Sequence, residues 1–245
     1  VEDVTKAYGG LMAVKHMGFE VSCGEIVGLI GPNGAGKSTM FNLISGEVPL
    51  TAGNIHFGNH TISGMRPPRI ARLGLSRTFQ HVRLIPGMTT LENVMIGAYL
   101  RTNDGILSAG LRLNLATDER VRSEAARQLR RVGLEDSMFV PAGSLPLGKQ
   151  RVVEIARALC ADPLLLLLDE PAAGLRYLEK KELALLLSDL RNEGLSVLIV
   201  EHDMEFLMNL VDRIVVMEFG EKLAEGLPQE IRSNPAVLEA YLGGV

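Results

Sequence analysis

A glycine-rich segment, GPNGAGKST at residues 31–39, constrains the fold of this chain most strongly. It has the spacing GxxxxGK[ST] and follows the apolar stretch EIVGLI. The residues after it, KSTMFNLISG, have helical spacing, with Gly46 at the expected stop. A strand, a glycine-rich turn and a helix in this order form a loop whose backbone N–H groups enclose phosphates. We therefore predict a nucleotide site.

Each residue type in this loop has a chemical role. Gly31, Gly34 and Gly36 let the backbone curl around the phosphates. Lys37 supplies a cation to the β- and γ-phosphates, and the Ser38 hydroxyl can hold Mg²⁺. We expect the rest of the loop to contact the nucleotide as well, namely Asn33, Ala35 and Thr39.

Two acids end a second hydrophobic stretch, LLLLLDEP at residues 164–171. An acid at a strand end can hold Mg²⁺, which fits Asp169. Side chains alternate along an extended chain, so Glu170 points elsewhere and is suited to polarise an attacking water. His202 follows another apolar strand, in LIVEHDM. Because strand ends converge on the ligand in doubly wound sheets, we expect all three beside the phosphate loop, with His202 on the γ-phosphate.

The second half of the chain alternates strands and helices. We predict strands at 164–168, 196–200 and 214–218, with helices at 178–194 and 203–213 and a small terminal helix. This alternation predicts an α/β fold with a mainly parallel sheet covered on both faces.

The first half predicts two additions to this core. The pattern at 51–62 indicates a hairpin, and residues from about Met88 to Cys160 are mostly helical. We expect a single domain over 1–245: a phosphate-loop NTPase core with an antiparallel β subdomain, made of residues 1–87 and 161–245, and a helical subdomain inserted at 88–160.

Composition excludes several classes of protein. The net charge of −4 is spread without a basic tail, which disfavours nucleic acid as a partner. The longest aliphatic run, Leu164 to Leu168, is too short to span a bilayer. Cys23 and Cys160 lack metal spacing and indicate a reducing compartment, although the sequence leaves a disulfide open. A zinc site at His56 and His60 is weakly supported.

A third segment, SLPLGKQR at residues 144–151, raises the question of whose nucleotide it binds. A helix begins there, because Val152, Ile155, Ala156 and Leu159 follow at helical spacing. Helix starts with free backbone donors attract phosphate. The run nevertheless lacks phosphate-loop spacing and contains a proline that can donate no hydrogen bond.

Taken together, these motifs resemble an ABC-type ATPase, the nucleotide-binding subunit of membrane transporters. The family order is met by Lys37, Gln80 in RTFQHVRL, LPLGKQR, Asp169–Glu170 and His202, and the resemblance covers essentially the whole chain. More narrowly, the chain is similar to the ATP-binding subunits of branched-chain amino-acid importers. That similarity is carried by RTFQHVRLIPGMTTLENV, LDEPAAGL, VEHDM and NPAVLEAYLGG.

The resemblance implies further roles. Tyr8 matches the aromatic position that stacks on adenine, and Gln80 matches the glutamine that senses Mg²⁺ and water and begins the loop touching the membrane subunit. LPLGKQR, with Pro146, Gly148 and Lys149, matches the signature that caps the γ-phosphate of an opposite subunit. The implied ligands are ATP and Mg²⁺. The implied partners are permease subunits, a second copy or a paralogous ATPase, and indirectly a solute-binding protein, at the cytoplasmic face of the membrane.

Departures from the family pattern leave alternatives open. Pro146 replaces a serine, Leu147 a glycine and Lys149 a glutamine, although proline in a first helical turn should preserve the helix. Arg176 and Tyr177 replace the usual Asp or Asn and proline. Three functions are therefore open. The chain is an ATP-hydrolysing importer subunit with Glu170 as base, a catalytically weak, ATP-gated assembly module, or the ATPase of an importer of urea or other amides. An ABC ATPase of DNA repair or translation is disfavoured, because neither a long coiled-coil insert nor a second cassette is visible.

Overall fold

The computed structural model describes residues 1–98 and 115–242. Its strands are β1 (Glu2–Tyr8), β2 (Leu11–Met17), β3 (Ile26–Ile30), β4 (Ala52–Asn54), β5 (His56–Phe57), β6 (His60–Thr61), β7 (Leu75–Arg77), β8 (Leu165–Asp169), β9 (Ser196–Val200), β10 (Arg213–Glu218) and β11 (Glu221–Gly226). Its α-helices are α1 (Lys37–Ile44), α2 (Pro67–Arg72), α3 (Thr90–Ala98), α4 (Leu115–Arg131), α5 (Leu147–Leu159), α6 (Tyr177–Asn192), α7 (Met204–Met208), α8 (Pro228–Ser233) and α9 (Pro235–Leu242). Short 3₁₀ turns lie at Glu135–Ser137 and Ala142–Ser144.

A six-stranded sheet forms the centre of the molecule, in the order β11-β10-β3-β9-β8-β7. Its strands are parallel except for β11, which pairs antiparallel with β10. Asp169 at the end of β8 lies opposite Val200 at the end of β9, so the residues that follow both strands meet at one edge. The predicted mainly parallel α/β sheet is confirmed.

Both faces of this sheet are buried. Along β3, Ile26 and Ile30 join the core cluster on one face, whereas Val27 and Leu29 join the cluster on the other face. All five residues of the strand are buried, which explains why its sequence is a continuous apolar run rather than an alternating one.

A separate antiparallel sheet, β2-β1-β4, packs beside the phosphate loop. The predicted hairpin at 51–62 is only partly correct. His56–Phe57 and His60–Thr61 do form a hairpin, but Ala52–Asn54 pairs with β1 instead. His56 hydrogen-bonds Thr61 through Nδ1 and lies 3.3 Å from the Glu2 carboxylate through Nε2.

The helical segment packs continuously onto the core. Val121, Ala125 and Leu129, four residues apart on one side of α4, are buried, and they belong to the same cluster as strand residues such as Leu166. Residues 99–114 of the predicted insert lie outside the described part, as do residues 243 and 244 at the end of the segment NPAVLEAYLGG. The domain boundaries at 87/88 and 160/161 stay a prediction.

One predicted helix is shorter in the structure, and one strand of the central sheet was not predicted. The helix predicted at 203–213 is limited to Met204–Met208, because Asp212 donates its N–H to the Ile26 carbonyl oxygen and accepts the Ile26 N–H through Oδ2, both at 2.9 Å, which directs the chain into β10. Strand β11 was not predicted, because its sequence EKLAEG is charged and none of its residues is buried. Cys23 is exposed and Cys160 is buried, and the two are not joined by a disulfide. Within the described ranges, no helix combines the length and apolarity needed to cross a bilayer.

Candidate nucleotide-binding site

The phosphate loop connects β3 to α1, and its backbone depends on glycine. Gly31 and Gly36 have φ angles of 151° and 104°. A Cβ at Gly31 would lie 2.0 Å from the Met217 carbonyl oxygen, and one at Gly36 would lie 2.5 Å from that of Ala13. The loop is thus pressed between β10 and β2. The first turn of α1 contains no acidic residue, so its free N–H groups are left for an anion.

Lys37 is buried at the centre of this loop. Its Nζ donates hydrogen bonds to the carbonyl oxygens of Gly31, at 2.7 Å, and Pro32, at 3.0 Å. Burial lowers the pKa of Lys37, while the charges of Glu170 and Asp169 oppose the shift. An ammonium group has three donors, so one N–H remains for a phosphate oxygen. Ser38, next along the helix, is exposed.

Asp169 is fixed by an arginine that the sequence analysis missed. Arg77, at the end of β7, places Nη2 3.0 Å from Asp169 Oδ2, and both side chains are about nine-tenths buried. Its Nη1 donates to the side chains of Asn42 and Ser45 at 2.7 and 3.1 Å. The guanidinium also lies over the Phe79 ring, 5.3 Å from its centroid. Arg77 therefore links the end of α1 to two neighbouring strand ends.

Glu170 lies between two other predicted site residues, Gln80 and His202. Its φ of 50° turns the chain out of β8, and this separates its side chain from that of Asp169. Gln80 Nε2 donates to Glu170 Oε2 at 2.7 Å, and His202 Nε2 lies 2.9 Å from Oε1. The structure thus brings Gln80, Glu170 and His202 into one hydrogen-bonded group.

A second buried acid, Glu201, holds the loop that follows Glu170. Its Oε1 accepts the Ala172 N–H at 2.6 Å, and its Oε2 accepts the N–H of His202 at 3.1 Å. Burial raises the pKa of Glu201, and hydrogen bonds from these amides oppose the rise. The sequence does contain a signal for this residue, since Glu201 directly follows the apolar strand SVLIV. No role was predicted for it.

The signature segment lies on an outward-facing surface. Pro146 precedes the first helical residue of α5 rather than standing inside the first turn, because its ψ of 150° is extended. Gly148 is buried against Glu179 of α6, whose Oε1 would be 2.6 Å from a Cβ. Lys149 is exposed. Across the described ranges, no hydrogen bond joins Gly148 or Lys149 to the phosphate loop of the same chain.

Arg176 and Tyr177 lie next to the signature. Arg176 flanks the start of α6, and its backbone N–H donates to Glu179 Oε2 at 2.8 Å. Both side chains are exposed, as is that of Leu147, which contacts the neighbouring loop at Gly174. Exposed side chains thus lie at the starts of both α5 and α6.

Tyr8 ends β1 and is 47 % exposed, with Lys6 Nζ 4.7 Å from its ring centroid. It pairs with Leu11 of β2, the strand whose Ala13 carbonyl touches Gly36. Its ring is therefore an exposed aromatic surface on the sheet that borders the phosphate loop.

Comparison with known proteins identifies the class. The family model described as "ABC transporter" matches residues 14–173, and one described as "Branched-chain amino acid ATP-binding cassette transporter" matches residues 221–245. The chain belongs to the ABC transporter family of ATPases, as the motif order predicted.

Within that family the chain is similar to LivG, a high-affinity branched-chain amino acid transport ATP-binding protein of Salmonella typhimurium. The two are 44 % identical over 99 % of this chain and 96 % of that protein. BraF of Pseudomonas aeruginosa, with the same description, is 42 % identical over the same shares.

Solved structures agree with this assignment. An ATP-binding cassette of an ABC transporter in its ADP conformation is 31 % identical, with a TM-score of 0.88 and coverage of 99 % of this chain and 97 % of that one. A dimeric bacterial ABC transporter cassette is 28 % identical, with a TM-score of 0.78 and coverage of 93 % and 97 %. The predicted fold is confirmed.

Proposed function

We propose that this chain hydrolyses ATP to power a membrane importer of branched-chain amino acids. The observation that carries the proposal is the Glu170 carboxylate, held by Gln80 and His202 at the sheet edge that also presents the phosphate loop. The solute is inferred from the names of the full-length relatives LivG and BraF.

The nucleotide is bound by the loop and by the neighbouring antiparallel sheet. Backbone N–H groups of residues 33–39 and the remaining Lys37 N–H hold the β- and γ-phosphates. Tyr8 stacks on the adenine through its exposed ring. Each contact uses a group that the structure leaves accessible or pointing into the loop.

The donor set fits Mg²⁺, a cation that prefers oxygen ligands and retains bound water. Because Arg77 occupies Asp169 Oδ2, Oδ1 is the oxygen left for the ion or its water. Because the Gln80 amide nitrogen faces Glu170, its carbonyl oxygen is the atom left for the metal, and Ser38 supplies a hydroxyl. The ion would neutralise charge on the β- and γ-phosphates.

Hydrolysis uses Glu170 as the base. A water oxygen attacks the γ-phosphorus, the bond from that phosphorus to the β–γ bridging oxygen breaks, and ADP leaves while Glu170 accepts a proton of the water. Gln80 and His202 fix the two carboxylate oxygens, so the base is oriented before the water arrives.

Two chains complete the site. The signature segment, with Pro146, Gly148, Lys149 and Arg176, makes no hydrogen bond to its own phosphate loop among the described residues, and we infer that it caps a nucleotide on a second copy or on a paralogous subunit. The dimeric cassette among the solved structures supports this pairing.

Docking to permease subunits involves the segment after Gln80. Ile85 and Met88 there are 45 % and 39 % exposed, which provides apolar area for a membrane partner. The chain would then act at the cytoplasmic face of the membrane, with a solute-binding protein on the other side.

A transport assay tests the solute. The chain would be isolated together with its membrane partners, and the complex would be reconstituted in lipid vesicles. ATP and Mg²⁺ would be supplied on the side of the membrane that carries this chain, and a solute-binding protein on the other side. We expect ATP-dependent uptake of labelled leucine that unlabelled isoleucine and valine suppress and urea does not. ATP-dependent uptake of labelled urea or acetamide, without uptake of labelled leucine, would replace the proposed solute with an amide.

Pro146 supports a second candidate, a catalytically weak module that ATP merely assembles. It supplies neither a side-chain cap nor a backbone N–H at the start of α5. Phosphate release by the reconstituted complex, with and without Pro146→Ser, separates the two. Hydrolysis that appears only in the variant would favour the module.

A further inference from the structure

A buried carboxylate and a guanidinium on the signature helix bind both backbone polar groups of one residue, Arg83, in the loop that carries Gln80. Glu154, 2 % exposed on α5, accepts the N–H of Arg83 through Oε1 at 2.8 Å. Arg157, one turn later, donates from Nη1 to the carbonyl oxygen of the same Arg83 at 2.7 Å. Arg157 Nη2 lies 3.1 Å from Glu154 Oε1, so the two side chains also bind each other.

Further contacts fix the loop at Phe79, four residues before Arg83. Arg151 of α5 donates to the Phe79 carbonyl oxygen at 3.2 Å, and the Arg83 guanidinium lies 4.0 Å from the Phe79 ring centroid. Gln80 therefore stands between two points that are both held by α5. Its own side chain, in contrast, reaches across to Glu170 of the central sheet.

This arrangement is costly to build and so calls for an explanation. Glu154 Oε2 is buried without a hydrogen bond among the described residues, and burial raises the pKa of this carboxyl group. Buried acids of this kind are uncommon unless they are paired. A helix that needed only packing would be served by an apolar residue here.

We propose that Glu154 and Arg157 are positioning residues that set the place of Gln80, so that movement of the signature helix is transmitted to the Glu170 carboxylate. This rests on the proposed role of Gln80 in hydrolysis. When the signature segment closes over a nucleotide and α5 tilts, residues 79–83 would move with the helix, because that segment is bound to α5 at both ends. The Gln80–Glu170 hydrogen bond is the point where this movement meets the reacting groups.

A double-mutant cycle on the purified full chain tests the proposal. We expect Glu154→Ala to lower ATP turnover about tenfold with Mg²⁺-ATP affinity changed less than about twofold, since it acts on the transition state rather than on binding. In a Gln80→Ala background the same substitution should change turnover less than about twofold, because residues that act through one another are not additive. Equal losses in both backgrounds would overturn the proposal.

Amide hydrogen exchange across residues 79–85 gives a readout independent of activity. Glu154→Ala should speed exchange there, because the Arg83 N–H loses its acceptor. Glu154→Gln, which keeps an oxygen for this amide, should give an intermediate rate and serves the whole test if the alanine variant folds poorly. Unchanged exchange in both variants would overturn the proposed grip.

Gln128→Ala is the matched control. This side chain is 1 % exposed on α4 and hydrogen-bonds Glu124 and Arg131, so its loss perturbs a buried polar site in the same helical layer without touching residues 79–83. We expect no change in exchange at 79–85. If Gln80→Ala alone left turnover intact while Glu154→Ala still sped exchange, the role proposed for Gln80 would fail, and the grip itself would stand.

Discussion

The guanidinium of Arg77 and the carboxylate of Asp169 form an ion pair 3.0 Å long that joins the ends of two adjacent parallel strands. Both groups are about nine-tenths buried, and neither has another charged partner as close as 3.0 Å among the described residues. Removing one member would leave the other charge poorly solvated. The pair therefore supports both the sheet edge and the candidate metal ligand.

Arg77→Met should lower the free energy of unfolding by about 3 kcal/mol, because removing one member of a buried pair leaves the charge of the other buried without its partner. Urea denaturation measures it. Lys15→Met is the control, since the Lys15–Glu221 pair is exposed and should leave the unfolding midpoint nearly unchanged. Equal midpoints for the two variants would contradict the importance of burial.

Gly36→Ala should destabilise the chain more than Gly34→Ala does. Both positions have positive φ, at 104° and 81°. For Gly34 the added Cβ meets no atom within 4 Å, so the cost is the backbone strain alone, about 1–2 kcal/mol. At Gly36 the Cβ would also lie 2.5 Å from the Ala13 carbonyl oxygen, which adds at least about 1 kcal/mol of overpacking. Denaturation of both variants side by side gives the order, and a reversed order would refute it.

Glu170→Gln should retain ATP binding and lower the rate of phosphate release by about 10²–10⁴-fold, the usual contribution of a general base. The amide keeps the size of the side chain but cannot accept the proton of the attacking water. Binding of a fluorescent ATP analogue and phosphate release are measured on the same sample. Glu182→Gln, at an exposed acid on α6, is the control and should leave both unchanged. Normal turnover in Glu170→Gln would remove this residue from the reaction.

Local sequence patterns predicted the parts of the site that one segment determines by itself. The phosphate loop is such a case, because its glycine spacing specifies the backbone that surrounds Lys37. Strand β9 was predicted with its observed bounds, since SVLIV is a buried apolar run between polar residues. The meeting of Glu170 and His202 followed from parallel strands ending at one edge.

Partners from distant segments left no comparable signal. Arg77 and Asp169 are separated by 92 positions, and nothing in SRTF indicates which acid the arginine meets. The same holds for Glu154, whose acceptor role depends on a peptide 71 positions earlier in the chain. Helix α7 was predicted too long because its end depends on the hydrogen bonds of Asp212 to Ile26 in another strand.

The buried Glu201 carboxylate should lower the stability of the fold as pH rises, and the variant Glu201→Gln should not show this loss. Burial raises the pKa of Glu201 above its ordinary value of 4.5, so the folded state favours the protonated form, and ionisation destabilises it as pH rises from 4.5 through the folded-state pKa. Glu201→Gln removes that ionisation, and its unfolding free energy should therefore increase relative to the wild type over this range. Urea denaturation from pH 4.5 upward measures the difference.

Glu25→Gln provides the opposite case: although burial acts to raise its pKa, hydrogen bonds from Arg213 and Ser22 hold the pKa of Glu25 below 4.5. That variant should lose stability relative to the wild type as pH rises toward 4.5, because the ionised Glu25 stabilises the fold. A difference for Glu201→Gln that stays constant or declines above pH 4.5 would show that this carboxylate ionises in the folded chain as readily as in the unfolded one.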